Sequence, residues 1–208
     1  MKKLLIFDYN GVLVDDLKVH EEAFMELAKR HDSKTTRQWI IDNMHTPSVF
    51  KTRMIIGSSD KSEVERAQLE KENIYIELAN KKGVLFPETR ETLERLAKDH
   101  ILSIVSNSTQ NQISSVFPKD LLDKFRVITT YEDIEKPKPD PSSLNKIMEK
   151  LGIGPEGTAY VGDSPTDMKT AKNAGVKAIG IDTGNDPAEA LVKAGADVLI
   201  HSLKELEF

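Results

Sequence analysis

Lys3-Leu4-Leu5-Ile6-Phe7-Asp8-Tyr9-Asn10-Gly11-Val12-Leu13 is the stretch on which the fold turns. Residues 4–7 are continuously apolar and end at an acid. A run this short is a strand rather than a helix, and the lack of alternation is that of a strand covered on both faces. Comparable runs recur at 101–105, 125–129, 158–161, 178–181 and 197–200. Helical patterns lie between them. Residues 88–99 follow Pro87 and carry Leu93, Leu96 and Ala97. Residues 141–151 carry Leu144, Ile147, Met148 and Leu151 on one face, with Gly152 as a stop. Residues 165–174 open on Pro165 and close at Gly175. Strand alternating with helix predicts an α/β fold, a Rossmann-like doubly wound parallel sheet.

The rhythm breaks between about Asp16 and Gly83, where no strand-like run appears. Helical patterns at 17–30, 34–43 and 59–82 fill the gap, punctuated by Thr46-Pro47-Ser48 and Gly57-Ser58-Ser59. The length far exceeds an ordinary crossover. The expected organisation is a core of residues 1–15 and 85–208 with an inserted all-helical cap, 16–84. The two linkers would hinge the cap over the site. The 59–82 helix mixes acids with bases and reads as solvated, with salt-bridged turns.

Composition narrows the function. There is no cysteine, so thiolate catalysis and cysteine-ligated metals are excluded. Acids outnumber bases, 34 to 29, which argues against nucleic-acid binding through phosphate contacts. A small anionic substrate responds to the local field instead. The longest apolar runs are strand-sized, so no membrane span is expected. Asp8 cuts the first run short of a signal peptide, and a cytoplasmic location is expected.

In open α/β sheets, ligands bind beyond the carboxyl ends of the strands. Asp8 follows the first run, Ser106 and Asn107 the second. Lys136 follows the third a few residues on, in Lys136-Pro137-Lys138-Pro139-Asp140, and Asp163 and Asp167 follow the fourth. Taken singly, each residue also suits a turn, a solvated loop or a helix cap. Together they supply carboxylates for a hard cation, a hydroxyl and a lysine, a set that shields a phosphoryl group from an anionic nucleophile. The histidines show no metal-ligand spacing. Trp39 reads as core of the helical insert, while His45, Lys51 and Arg53 could meet an anionic substrate from it.

Asp8-Tyr9-Asn10-Gly11-Val12-Leu13, the run ending at Ser106, Lys136 through Asp140, and Gly162-Asp163-Ser164-Pro165-Thr166-Asp167 resemble, in order, the four motifs of the haloacid dehalogenase-like hydrolases. The resemblance is to the phosphatase-type subgroup with a helical cap after the first strand, and it covers essentially the whole chain. It implies Mg²⁺ as cofactor, held by Asp8, the backbone carbonyl of Asn10, Asp163 and, through water or by orienting the shell, Asp167. It implies Asp8 as nucleophile, forming an aspartyl-phosphate. It implies Ser106, with Asn107 beside it, as binder of the phosphate of a small phosphorylated metabolite. Lys136 would neutralise phosphate and nucleophile.

One departure stands out. The second motif aspartate, which protonates the leaving group, is Asn10 here, and a carboxamide does not transfer a proton at neutral pH. Four readings fit it: a phosphatase using another acid, Asp15 or Asp16 being nearest; a 2-haloacid dehalogenase; a catalytically weak phosphate-binding or regulatory member; or an Asp-to-Asn exchange introduced to trap an intermediate. Asp163 and Asp167 weigh against the dehalogenase, because carboxylates crowded beside Asp8 without a cation raise its pKa.

Overall fold

The computed structural model describes residues 2–44 and 46–208. In chain order the elements are β1 Lys3–Phe7, α1 Leu17–Arg30, α2 Arg37–Asp42, α3 Ser48–Ile56, α4 Lys61–Lys82, α5 Thr89–Asp99, β2 His100–Val105, α6 Gln110–Val116, α7 Lys119–Leu122 and β3 Phe125–Thr129. They continue with α8 Ser142–Leu151, β4 Thr158–Gly162, α9 Pro165–Ala174, β5 Lys177–Ile181, α10 Ala188–Lys193 and β6 Val198–Ile200. The chain divides into two compact units, Met1–Asp15 with Leu85–Phe208, and Asp16–Val84.

The first unit holds a six-stranded sheet in the order β3-β2-β1-β4-β5-β6, and every pair is parallel. Residues 4–7 are fully buried, as expected of a strand covered on both faces. One layer of core joins Leu4, Ile6 and Tyr160 to Leu144, Ile147 and Met168. The strand order runs outward in both directions from β1 and β4. That switch point opens a crevice at the carboxyl ends of those two strands, where Asp8 and Asp163 lie.

Local chemistry sets the element ends. Ser164 caps α9: its hydroxyl accepts from the Asp167 N–H while the Asp167 carboxylate accepts from the Ser164 N–H, with Pro165 in the first turn. Helix α2 starts three residues later than the pattern predicts, because Thr36 serves as its cap and accepts from the Trp39 N–H. Asp60 likewise caps α4 through the Glu63 N–H. Helices α3, α6, α7 and α10 were not among the expected elements. They are short and rest on tertiary packing more than on periodicity.

The second unit is helical among its described residues, and α1 packs chiefly against α4. Phe24 and Leu27 of α1 are buried, as are Val64, Ala67, Ile74 and Tyr75 of α4. Helix α4 is therefore not solvated throughout: one face is core, and it includes Lys71. Lys71 Nζ lies 2.7 Å from His20 Nδ1 and sits over the Phe24 ring. Tyr75 donates its hydroxyl to Asp16 at 2.6 Å. Lys51 is buried too, donating to the carbonyls of Asn43, Met44 and Thr46 just past α2, so it serves as a helix-end clamp rather than a free cation. Arg53 is exposed, Trp39 is half-buried and stacks on Phe50, and His45 lies outside the described residues.

Candidate active site

Asp8 is the first residue beyond β1. Its backbone N–H donates to the Val161 carbonyl of β4, which continues the sheet register and ties the carboxylate's base to two strands. The Tyr9 N–H donates to Asp8 Oδ1 at 2.7 Å. The other oxygen, Oδ2, meets Lys138 Nζ at 2.9 Å. Lys138 Nζ also donates to Asp167 Oδ1 at 2.7 Å and to the Tyr160 hydroxyl at 2.9 Å. Tyr160 in turn donates to Asp167 Oδ1 at 2.9 Å. Ser164 supplies its N–H and hydroxyl to Asp167 Oδ2. Asp167 thus has both oxygens engaged and is locked in one orientation.

The lysine of this cluster is a correction to the sequence reading. Lys136 is 73% exposed and lies 3.9 Å from Asp140, away from the carboxylate cluster. Lys138, 7% exposed, bridges Asp8 and Asp167. The pattern Lys-Pro-x-Pro occurs twice, offset by two: Lys136-Pro137-Lys138-Pro139 and Lys138-Pro139-Asp140-Pro141. Only the second copy brings its lysine to the sheet edge, directly before α8.

Asp163 completes the group. Acceptor atoms of Asp8, Asp163 and Asp167 all lie within 4.8 Å of one another. The Asp163 carboxylate is wedged between two glycines. A Cβ on Gly11 would stand 2.2 Å from its Oδ2, and one on Gly184 would stand 2.0 Å away. Gly11 also has a φ of +72°, so it is required there twice over. Gly184, Tyr160 and Ser108 were not singled out in the sequence. Tyr160 lies within the apolar run 158–161, and nothing local marks Gly184.

Charge follows from the packing. Burial lifts the Asp8 carboxyl to about 6, with Asp167 adding to the rise and Lys138 opposing it. Burial, then Asp167 and Asp8, push Asp163 well above the usual carboxylate range. Burial would lower Lys138, but Asp167 and Asp8 outweigh it and hold the lysine charged. Three crowded carboxylates with a single buried lysine suit a hard cation. Asp8 and Asp163 would be its direct ligands. Asp167, saturated by protein donors, would act on its shell.

The remaining expected residues sit on the β2 side. Ser106 is buried at the end of β2, and Ser108 N–H donates to its hydroxyl at 3.0 Å. Asn10 is half-buried; its Oδ1 accepts from Ser108 Oγ at 2.8 Å, with Ser106 Oγ at 3.5 Å. Asn107 is exposed on the turn between the two serines. Asp8, Asn10, Ser106, Asp163 and Asp167 thus come together, with Lys138 in place of Lys136.

A parallel sheet with an acid beyond its first strand, a lysine-bridged carboxylate cluster and hydroxyls facing it defines a class of hydrolase. A family model described as haloacid dehalogenase-like hydrolase matches residues 5–181, and the chain belongs to that family. Within it, the chain is similar to phosphatases. It is 24% identical over 218 residues to a phosphoglycolate phosphatase of Pseudomonas putida, an alignment covering 99% of this chain and 79% of that protein. It is 32% identical over 134 residues to a phosphoglycolate phosphatase of Escherichia coli, covering 64% and 53%. A solved structure from Bacteroides fragilis, described as a haloacid dehalogenase-like hydrolase, superposes with a TM-score of 0.83 at 26% identity over the whole of both chains. CbbY from Rhodobacter sphaeroides, solved in complex with phosphate, shares the fold, with a TM-score of 0.83 at 18% identity, covering 99% and 96%. Phosphatases of this family use a divalent metal and a small phosphorylated substrate. No described helix is long and apolar enough to cross a membrane.

Proposed function

We propose that the protein is a Mg²⁺-dependent phosphohydrolase of a small phosphomonoester, working through an aspartyl-phosphate on Asp8. The observation that carries this reading is the bridge of Lys138 between Asp8 and Asp167, with Asp163 alongside. Asp8 attacks phosphorus. Lys138, held charged by its two carboxylates, bears part of the negative charge that develops on the phosphoryl oxygens. Ser106, through its hydroxyl, orients the phosphoryl group. Asp167 and Tyr160 keep Lys138 in place. Mg²⁺ bound by Asp8, Asp163 and the Asn10 carbonyl would supply the remaining charge neutralisation. Water then cleaves the aspartyl-phosphate and restores Asp8.

The test is a screen of phosphorylated metabolites, phosphoglycolate included, with and without Mg²⁺. Metal-dependent phosphate release that vanishes in Asp8→Ala is expected. Halide release from 2-haloacids without metal would overturn the reading in favour of a dehalogenase. Phosphate binding with no turnover would overturn it in favour of a non-catalytic protein.

A further inference from the structure

We infer that the site turns over phosphates whose leaving group departs as a stable anion, acyl phosphates foremost, and works poorly on phosphates of aliphatic alcohols. The inference rests on the phosphatase reading above and, for that same site, moves the preferred substrate from phosphate esters of alcohols to aryl esters and, above all, phosphoric anhydrides.

The side chains that the sheet unit gathers at the site each have a chemical consequence. Asp8 must be an anion to attack. Lys138 is paired with two carboxylates, and Tyr160 lies fully buried behind it. Both oxygens of Asp167 accept from protein donors. Asp163 is wedged against Gly11 and Gly184 on the β4 side. Opposite, beside β2, stand Asn10, Ser106 and Ser108, an amide and two hydroxyls. Whatever partners Asn10 has, a carboxamide donates and accepts hydrogen bonds without transferring a proton. This half of the site therefore stabilises an oxygen by hydrogen bonding and does not protonate it.

Leaving groups differ greatly in how much that matters. An aliphatic alkoxide is about as basic as hydroxide and departs poorly unless it is protonated. A carboxylate, with a pKa near 4, departs as it is. When Asp8 attacks an acyl phosphate, the new bond joins its carboxylate oxygen to phosphorus. The bond from phosphorus to the acyl oxygen breaks, and its electron pair stays on the departing carboxylate. No proton moves. The product on Asp8 is itself a mixed carboxylic–phosphoric anhydride, so bonds of the same kind are exchanged. Water then adds to phosphorus, the bond to Asp8 breaks with its electron pair returning to the carboxylate, and both water protons leave on the phosphate.

The experiment is a leaving-group series on the 208-residue chain with Mg²⁺: acetyl phosphate, aryl phosphates of graded acidity, glycerol phosphate and 2-phosphoglycolate, each corrected for its uncatalysed rate. Expected is a steep fall in kcat/KM toward the aliphatic esters. In Asn10→Asp those esters should gain about 10²–10⁴-fold, the usual worth of general acid–base assistance. Acetyl phosphate, whose leaving group needs no proton, should gain far less than the esters do, so the series flattens. A shallow series in the native protein, or a slope unchanged in Asn10→Asp, would overturn the inference while leaving the phosphatase reading intact. Turnover of no phosphate, or acetyl phosphate cleavage that survives Asp8→Ala, would sink that reading and the inference with it.

Discussion

Two lysines two residues apart, Lys136 and Lys138, carry the same motif letters and opposite fates. Lys138 sits at hydrogen-bond distance from two carboxylates, whereas Lys136 projects into solvent. Lys138→Ala should lower turnover by about 10²–10³, the usual cost of losing one preorganised charge stabiliser. Lys136→Ala should stay within a few-fold of the native rate. Steady-state assays of the two variants check this, and the reverse ranking would return the role to Lys136. Glycine 184 makes a second case. A methyl there would stand 2.0 Å from the Asp163 carboxylate and must displace it. Gly184→Ala should therefore weaken Mg²⁺ binding at least several-fold with little change in the far-ultraviolet circular dichroism spectrum. Calorimetric titration with Mg²⁺ reads the effect, and unchanged affinity would remove Asp163 from the ligand set.

At the scale of elements, α4 spends a core position on a charge. Lys71 is buried against Phe24, Tyr75 and His20, near Asp16 and Lys51, and burial lowers it to about 7. A lysine in the unfolded chain keeps its proton up to about 10.4. Between those values the unfolded state binds more protons than the folded one, so stability rises with pH. Lys51, lowered to about 8 by burial, adds to the same slope over a narrower window. The thermal midpoint should therefore climb from pH 7 toward pH 10. Lys71→Met should raise the midpoint at pH 7 and flatten the climb, as expected when a buried charge gives way to an apolar side chain of similar length. A lower midpoint at pH 7 would mean that the His20 and Asp16 partnership outweighs desolvation. The mixed charges of α4 hide this face in the sequence, because a buried lysine carries the same letter as a solvated one.

For the whole molecule, the place where the helical unit leaves and rejoins the sheet unit is informative. Val14 forms an antiparallel bridge with Leu85, and the Thr89 hydroxyl donates to the Leu13 carbonyl at 2.9 Å. The two ends of the insertion are thus held side by side by the sheet unit itself. Joining Asp15 to Leu85 through a short Gly-rich linker should leave a folded core that unfolds cooperatively, since closing a loop of a few residues costs little. Loss of a cooperative thermal transition in this deletion would show that the sheet unit depends on the helical one for stability.

The sequence alone determined the sheet and its order of chemistry. Runs at 3–7 and 125–129 coincide with β1 and β3, and the other strands differ by a residue or so at an end, because continuous apolar runs ended by acids, turns or caps are local signals. It also carried Asp8, Ser106 and Asp163, which directly follow β1, β2 and β4, and Asn10 and Asp167 in the turn and helix start just beyond, since a parallel sheet must bring strand ends to one edge. Tertiary structure decided what local letters leave equal. It chose Lys138 over Lys136, because the choice depends on which way a loop of alternating prolines delivers its lysine to the sheet. It recruited Tyr160, whose hydroxyl matters only once Lys138 and Asp167 flank it, and Gly184, which owes its constraint to a carboxylate 21 residues earlier in the chain. Strand ends are set by neighbours in sequence; ion pairs and close approaches are set by neighbours in space.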